Sequence, residues 1–563
     1  MKIASSKFVR IWFWAGVLLT AVKLWLTRGQ PVFAIGTAAH DDRLFLEMAE
    51  SISKGEWLGA YSQMTLAKGP FYSIWIAALY WIGVPLGLGV QMAYAAACAV
   101  FARACRPAVP SGPVRFALYA FLLWNPMSFE GPTLCRIIRQ QIYTPLALVV
   151  FAGLVALYCR RQENLRRQWP WAALLGLAFG CFWLTREESV WLVPSVVLLA
   201  AAALFWAFRG SRVQGLTMLQ ALGLAAGCAA LPVVLVCTEN YRHYGWFGTV
   251  EFRAPEFNDA YGAMVRVKLD PVLPLVPVTR QAREAMYAVS PAFATLRPWL
   301  DGDIGTQWAE KEMYPVEDRQ IRGGWLMWAL RDCVVAAGHG HSAREALDFY
   351  QLMADEINRA CDEGRLAAHP RRSGFLPIWK DGETADVLRT TWMFADFVAG
   401  YKSFTVYPPL SIGTDDEVSL FRDLTRDRLT IVENATNYIL PNQIALDNWK
   451  LDVLQNVGKS LRQYLLVLFL VAHPLIVIRL IQIFWTRQLT FPLVLAAAAW
   501  GGSLAYLLIN ALVQVTSFSV VAVATFWPVY PLLQVFTFAA FWDAAAWFGH
   551  KAGSTTDEIN RPA

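Results

Sequence analysis

The stretch His40–Tyr72, HDDRLFLEMAESISKGEWLGAYSQMTLAKGPFY, decides how the rest of the chain is read. It follows the first apolar run and opens with two adjacent acids, Asp41 and Asp42, at the head of a short amphipathic helix, Asp42–Lys54. Trp57 and Tyr61 come next, and then Lys68 directly before Gly69-Pro70. A polar loop at a membrane face thus carries both a carboxylate base and a cation fit for phosphate. Plainer roles are open to each: Asp41 as a helix cap, Lys68 as a snorkelling interfacial lysine.

The composition places that loop in a membrane protein. Hydrophobic residues are 56% of 563 and aromatics 14%, with 25 tryptophans and a mean hydropathy of +0.37. Together with repeated apolar runs of about 20 residues, this predicts an all-α polytopic membrane protein. The net charge of +6 comes from loop arginines. No basic patch with interleaved aromatics stands outside the cytoplasmic connections, which argues against a nucleic-acid partner.

Ten spans are predicted, near Phe8–Leu26, Leu86–Ala102, Val114–Trp124, Tyr143–Tyr158, Trp169–Leu184, Val190–Phe208, Leu216–Cys237, Leu461–Ile478, Phe491–Leu512 and Phe518–Ala540. Phe71–Val84 is apolar but only about 14 residues long, and reads as a re-entrant or interfacial helix. The positive-inside rule supports that reading. With both ends inside, Arg103, Arg106, Arg115, Arg160, Arg161, Arg166, Arg167, Arg209, Arg212, Arg479 and Arg487 all face the cytoplasm. One more crossing at Phe71–Val84 would turn the later clusters outward. The first span reads as an uncleaved anchor, because Lys23 interrupts it and the nearest small-residue site, Ala38-Ala39, lies well past it.

The domain reading is a transmembrane module at 1–237 with the first external loop at 28–70, an external domain at 238–459, C-terminal spans at 460–550, and a disordered tail at 551–563. The insertion of about 220 residues is long enough for its own core and reads as mainly helical. Ser342-Ala343-Arg344-Glu345 predicts a capped helix running to Gly364, and an earlier helix near Gln320–Ala336 pairs with it through Gly338-His339-Gly340-His341. Cys333 and Cys361 would lie about 20 Å apart in that hairpin, too far for a disulfide, so free thiols are expected.

With this topology the charges at membrane level gather on one face. Asp41, Asp42 and Lys68 are in the first external loop, Arg136 and Arg139 in the second, Arg186, Glu187 and Glu188 in the third, and Glu239 opens the fourth. Ionisable groups at membrane depth are costly and mark sites. Arg186 and Glu187 could also be a structural pair, and Arg136 and Arg139 ordinary loop cations. His40 beside two aspartates raises a divalent metal, but three consecutive side chains do not readily converge on one ion. No metal ligand set and no cofactor are assigned, and His339 and His341 read as turn residues.

The order of these motifs resembles the GT-C glycosyltransferases. The acidic pair, the amphipathic helix, Gly55-Glu56-Trp57 and Lys68-Gly69-Pro70 are similar to the first loop of bacterial lipid A aminoarabinose transferases and protein O-mannosyltransferases. Arg136 to Gln140 and Leu184 to Glu187 are similar to later loops of that superfamily. Lys68 is followed by Gly-Pro where the aminoarabinose branch has a double proline, and the insertion matches neither branch. The resemblance implies an inverting transferase that moves a sugar from a polyprenyl-phosphate donor to a hydroxyl of a lipid, glycan or protein. It implies Asp41 or Asp42 as base, with Asp41 preferred as the first acid of the pair, and Lys68, Arg136, Arg139 and Arg186 as phosphate ligands. Glu187, Glu188, Trp57, Tyr61 and Glu239 would support them. It also implies a bacterial inner membrane with the site facing outward. The alternative is a transporter or flippase of lipid-linked sugars, which would want broken helices or charges near the midplane of both halves.

Overall fold

The apolar runs fold as helices, and the breaks between them fall at proline, glycine or charge. The computed structural model describes residues 6–559 except 269–271, 310–319, 377, 431–440, 487 and 521. Its principal helices begin with α1 (Ser6–Thr27), α2 (Asp42–Lys54), α3 (Phe71–Trp81), α4 (Leu86–Ala104) and α5 (Gly112–Leu123). They continue with α6 (Gln140–Cys159), α7 (Leu165–Trp183), α8 (Val193–Gly210) and α9 (Arg212–Tyr244). In the insertion lie α10 (Pro255–Arg266), α11 (Gly323–Ala336), α12 (Ala343–Asp362) and α13 (Glu383–Ala399), and the chain closes with α14 (Pro441–Thr486), α15 (Phe491–Thr516) and α16 (Val529–Ile559).

Among the described residues, eight helices are long and apolar enough to cross a membrane. Two of the ten expected spans fall short of that measure. Helix α5 has 12 residues, about 18 Å. Helix α7 has 19 but opens on Arg166 and Arg167 and contains Pro170. Both nevertheless lie in the bundle. Tyr143 stacks on Phe182 at 4.2 Å, and a Cβ on Gly153 would meet Leu175, so α7 runs antiparallel along the whole of α6. Gly176 and Gly180 of α7 face α9 so closely that a Cβ on either would come within 2.4 Å of an α9 carbonyl oxygen. Small residues four apart are how membrane helices approach this tightly.

Packing also sets direction. Trp12 meets Phe116 at 5.2 Å and the buried Lys23 ammonium donates to the Leu123 carbonyl at 2.8 Å, so α1 and α5 are parallel. Their C-terminal ends, the 126–139 segment, the α7–α8 turn and the end of α9 therefore share one end of the bundle. At the opposite end Arg160 donates to the Ala104 carbonyl at 3.1 Å, and Tyr158 stacks on Phe491 at 3.5 Å. The belt between carries exposed Phe13, Trp14, Leu18, Phe205 and Leu235, the surface that lipid covers in a spanning protein. Helix α3 has 11 residues, too few to cross.

Two spans begin elsewhere than expected. Helix α14 has 46 residues, about 69 Å, and its first turns stand clear of the apolar stretch. The last long helix opens at Val529 rather than Phe518 because Pro528 cannot continue a helix from the residues before it. It runs to Ile559, into the segment read as a disordered tail, and 560–563 lie outside the described residues.

The insertion builds its own core from Phe257, Tyr261, Leu326, Leu330, Tyr350 and Met353 on α10, α11 and α12. Ser342 caps α12 by accepting from the Glu345 amide at 3.2 Å, and Gly364 follows its end at φ +74°. All nine cysteines are free, Cys333 and Cys361 included, as helix spacing predicted. Helix α13 departs from the rest of the insertion. Its Phe394 packs on Phe526 at 4.7 Å, which seats it against the end of the membrane bundle.

A cysteine placed at Ser373 is expected to be modified by a membrane-impermeant thiol reagent in intact cells, and one at Gln162 is not. The reverse pattern would invert the bundle.

Candidate active site

Loop 28–70 is held from both sides before it reaches Asp41. Residues 32–36 run between two other segments: Phe33 donates to the Cys135 carbonyl, and Val32 and Gly36 donate to Arg428 and Ile412, all within 2.8 Å. Helix α2 then buries Leu44, Phe45, Met48 and Ile52 and ends at Gly55, whose φ of +83° closes the last turn. Asp41 stands at the cap position but makes no capping hydrogen bond. Its carboxylate pairs with Lys68 instead.

Beyond Lys68 the chain passes Leu184 with no room for a side chain. A Cβ on Gly69 would sit 2.2 Å from the Leu184 carbonyl oxygen. The Gly69 amide donates to Glu187 at 2.8 Å. The glycine of Lys68-Gly69-Pro70 is thus what lets loop 28–70 touch the α7–α8 turn.

Four acid–cation pairs assemble here from three loops. Lys68 pairs with Asp41. Arg136 grips Asp42 in fork geometry, Nε to Oδ1 at 2.9 Å and Nη2 to Oδ2 at 2.7 Å. Arg139 donates to both oxygens of Glu187 at 2.8 and 2.7 Å. The Arg186 Nε donates to Glu188 at 2.7 Å. Asp42 is fully buried, whereas Asp41 exposes 57% of its side chain. Asp41 is the most exposed of the four acids, with Glu187 at 24% and Glu188 at 28% between the two aspartates.

The electrostatics derive from that arrangement. Burial would raise Asp41, but the Lys68 ammonium beside it, with Arg139 and Arg136 behind, outweighs burial and holds the carboxyl below its ordinary value. Burial pushes Lys68 down against the pull of Asp41, and pushes Asp42 up against Arg136. Glu187, opposed by burial but held by Arg139 and the Gly69 amide, falls to about 2.

The remaining expected residues lie around the cluster. The Trp57 indole donates to Asn240 at 2.8 Å and the Tyr61 hydroxyl to Glu251 at 2.7 Å, so Trp57 fastens the loop to α9 and Tyr61 fastens it to the start of the insertion. Glu239 is not drawn in; it pairs with Arg242 one turn along α9. Sequence reasoning missed Arg253. Its guanidinium lies 4.7 Å from the Trp183 ring centroid and donates to the Arg186 carbonyl at 2.9 Å and to that of Glu187. It also missed Arg331, buried against Glu251 and donating to the Gln63 and Thr65 carbonyls at 2.8 and 2.7 Å. Neither carries a local pattern that separates it from the other arginines of a charged insertion.

No family model and no curated sequence matches the chain. Among solved structures it is similar to ArnT from Cupriavidus metallidurans in the apo state, with a TM-score of 0.32 and 12% identity over 95% of this chain and 77% of that one. It is likewise similar to ArnT from the same organism bound to undecaprenyl phosphate, with a TM-score of 0.31 and 12% identity over the same shares.

The Glu187 shift has a definite sign. A depressed carboxyl contributes stability that is present above its ordinary value of about 4.5 and is lost as pH falls towards about 2. Glu187→Gln should therefore melt below wild type at neutral pH, with the gap closing as pH falls below about 4.5. A gap that stays constant across that range would show that the Arg139 pair is not what stabilises the charged form.

Proposed function

We propose that this protein is an inverting GT-C-type glycosyltransferase that moves a sugar from a polyprenyl-phosphate donor to an acceptor hydroxyl at the outer face of a bacterial inner membrane. The observation that carries the reading is an exposed carboxylate, Asp41, set among Lys68, Arg139 and Arg136 at the loop end of the bundle. In the proposed step Asp41 takes the acceptor proton as its oxygen attacks the anomeric carbon. The bond from that carbon to the phosphate oxygen breaks on the opposite face, and polyprenyl phosphate leaves with the electron pair. Lys68 and the neighbouring guanidiniums stabilise the charge it carries, and the planar arginine fork suits two phosphate oxygens at once.

The Lys68–Asp41 pair gives this step an order. An arriving phosphate competes with Asp41 for the Lys68 ammonium. Once Lys68 turns to phosphate, Asp41 loses the cation that depresses it and becomes a stronger base. Asp42 has a different part. Its sequence position leaves it open to either base or cap, and its burial under the Arg136 fork makes it the anchor between the first two loops.

The test is transfer by the purified chain with membrane-extracted polyprenyl-phosphate sugars, beside lipid profiling of a deletion strain. Asp41→Asn should lower transfer roughly 100-fold or more while folding normally. Lys68→Ala should cost on the order of 2–4 kcal/mol in the transition state. Asp42→Asn removes the countercharge of Arg136 and one arm of its fork while leaving an amide oxygen to accept from it, and should lower stability by about 1.5–3 kcal/mol. Full transfer by Asp41→Asn, or a deletion strain with no accumulated lipid-linked sugar, would overturn the proposal.

A further inference from the structure

The wall facing Asp41 and Lys68 comes from the insertion, and it is aromatic. On α11, Trp325, Trp328 and Asp332 fall at i, i+3 and i+7, one face of a helix. Trp308 lies near-parallel to both indoles, with centroids 5.8 Å from Trp325 and 6.4 Å from Trp328 and interplanar angles of 30° and 14°. His40, the residue before Asp41, meets Trp308 and Trp328 edge-on at 4.6 and 5.0 Å. The Lys68 ammonium is 5.6 Å from the Trp328 centroid. The row thus runs from Trp325, 40% exposed, inward to the proposed base.

Among the described residues, two polar groups in this wall keep hydrogen-bonding capacity unfilled. The Asp332 Oδ2 accepts from the Trp308 indole at 2.7 Å, but its Oδ1 is buried with no hydrogen bond among the described residues. His40 makes no side-chain hydrogen bond among them either. Burial lowers His40 against the pull of Asp332 and Asp41, and a neutral imidazole offers one donor and one acceptor. An orphaned buried oxygen is costly unless a ligand satisfies it. An isoprenoid chain would cover the indoles and leave that oxygen unpaired. A sugar does both: its C–H face lies on an indole and its hydroxyls reach Asp332 and His40.

We propose that Trp308, Trp325 and Trp328, with Asp332 and His40, form a pyranose-binding subsite that presents a sugar ring to the Asp41–Lys68 pair. The inference rests on the transferase reading for its meaning but not for its geometry. The ring belongs either to the donor sugar or to a glycan acceptor, and both share the chemistry described.

The test is saturation-transfer NMR on the purified full chain in a sugar-free detergent, with the methyl pyranosides of glucose, mannose, galactose and 4-amino-4-deoxyarabinose as probes. At least one should receive saturation, strongest on the protons of one ring face. Asp332→Asn and Trp325→Ala, an isosteric change and an exposed one, should fold as wild type and bind that probe about tenfold more weakly. Asp41→Asn should retain it. No saturation with any probe, or equal saturation in both subsite variants, would overturn the subsite. Full transfer by both variants would overturn it while leaving the transferase reading intact, whereas pyranoside binding by an inactive wild type would do the opposite. A rise in KM for donor alone, or for acceptor alone, says which ring the subsite holds.

Discussion

A charge at the edge of a bilayer must be paired, and at one end of this bundle that requirement holds three loops together. Asp42 is fully buried under the Arg136 fork. Glu187 binds Arg139 on one side and the Gly69 amide on the other. Removing one partner of such a pair costs far more than the pair contributes, because the survivor is left buried and uncompensated. Loop 28–70, the segment 126–139 and the α7–α8 turn are thereby locked in one register, and everything proposed about the site depends on that register.

The lattice is not uniform. Asp42 and Glu187 are the fixed members, held by several hydrogen bonds each, while Asp41 has one ion-pair partner and faces solvent. That inequality separates structural acids from the one available for chemistry. On the proposed transferase reading it also orders the substrates. A phosphate that competes for cations will displace the weakest-held carboxylate first, and an acceptor must approach from the open side, where α11 supplies the facing wall.

The bundle was legible in the sequence because apolar runs and arginine clusters are local signals. Asp41, Asp42, Lys68, Arg136, Arg139 and Arg186 were legible because each ends or follows a span, where a charge needs a reason. Three features were not. The assignment of Asp42 to Arg136 rather than to a helix cap depends on which side chain reaches across loops 94 residues apart, which no spacing encodes. Arg253 and Arg331 sit among many arginines of a charged insertion. The indole row needs Trp308 of one helix to lie between two residues of another, a tertiary fact. The start of α16 was misplaced because hydropathy runs through Pro528 where the backbone cannot.

In the proposed reaction this lattice exchanges a carboxylate for a lipid phosphate. Native mass spectrometry of the purified chain with undecaprenyl phosphate and with undecaprenol, at matched concentrations, tests it most directly. Retention of the phosphate form alone is expected, lost when Lys68 and Arg186 are both replaced by alanine. Equal retention of the two lipids, or phosphate binding that survives loss of both cations, would contradict it.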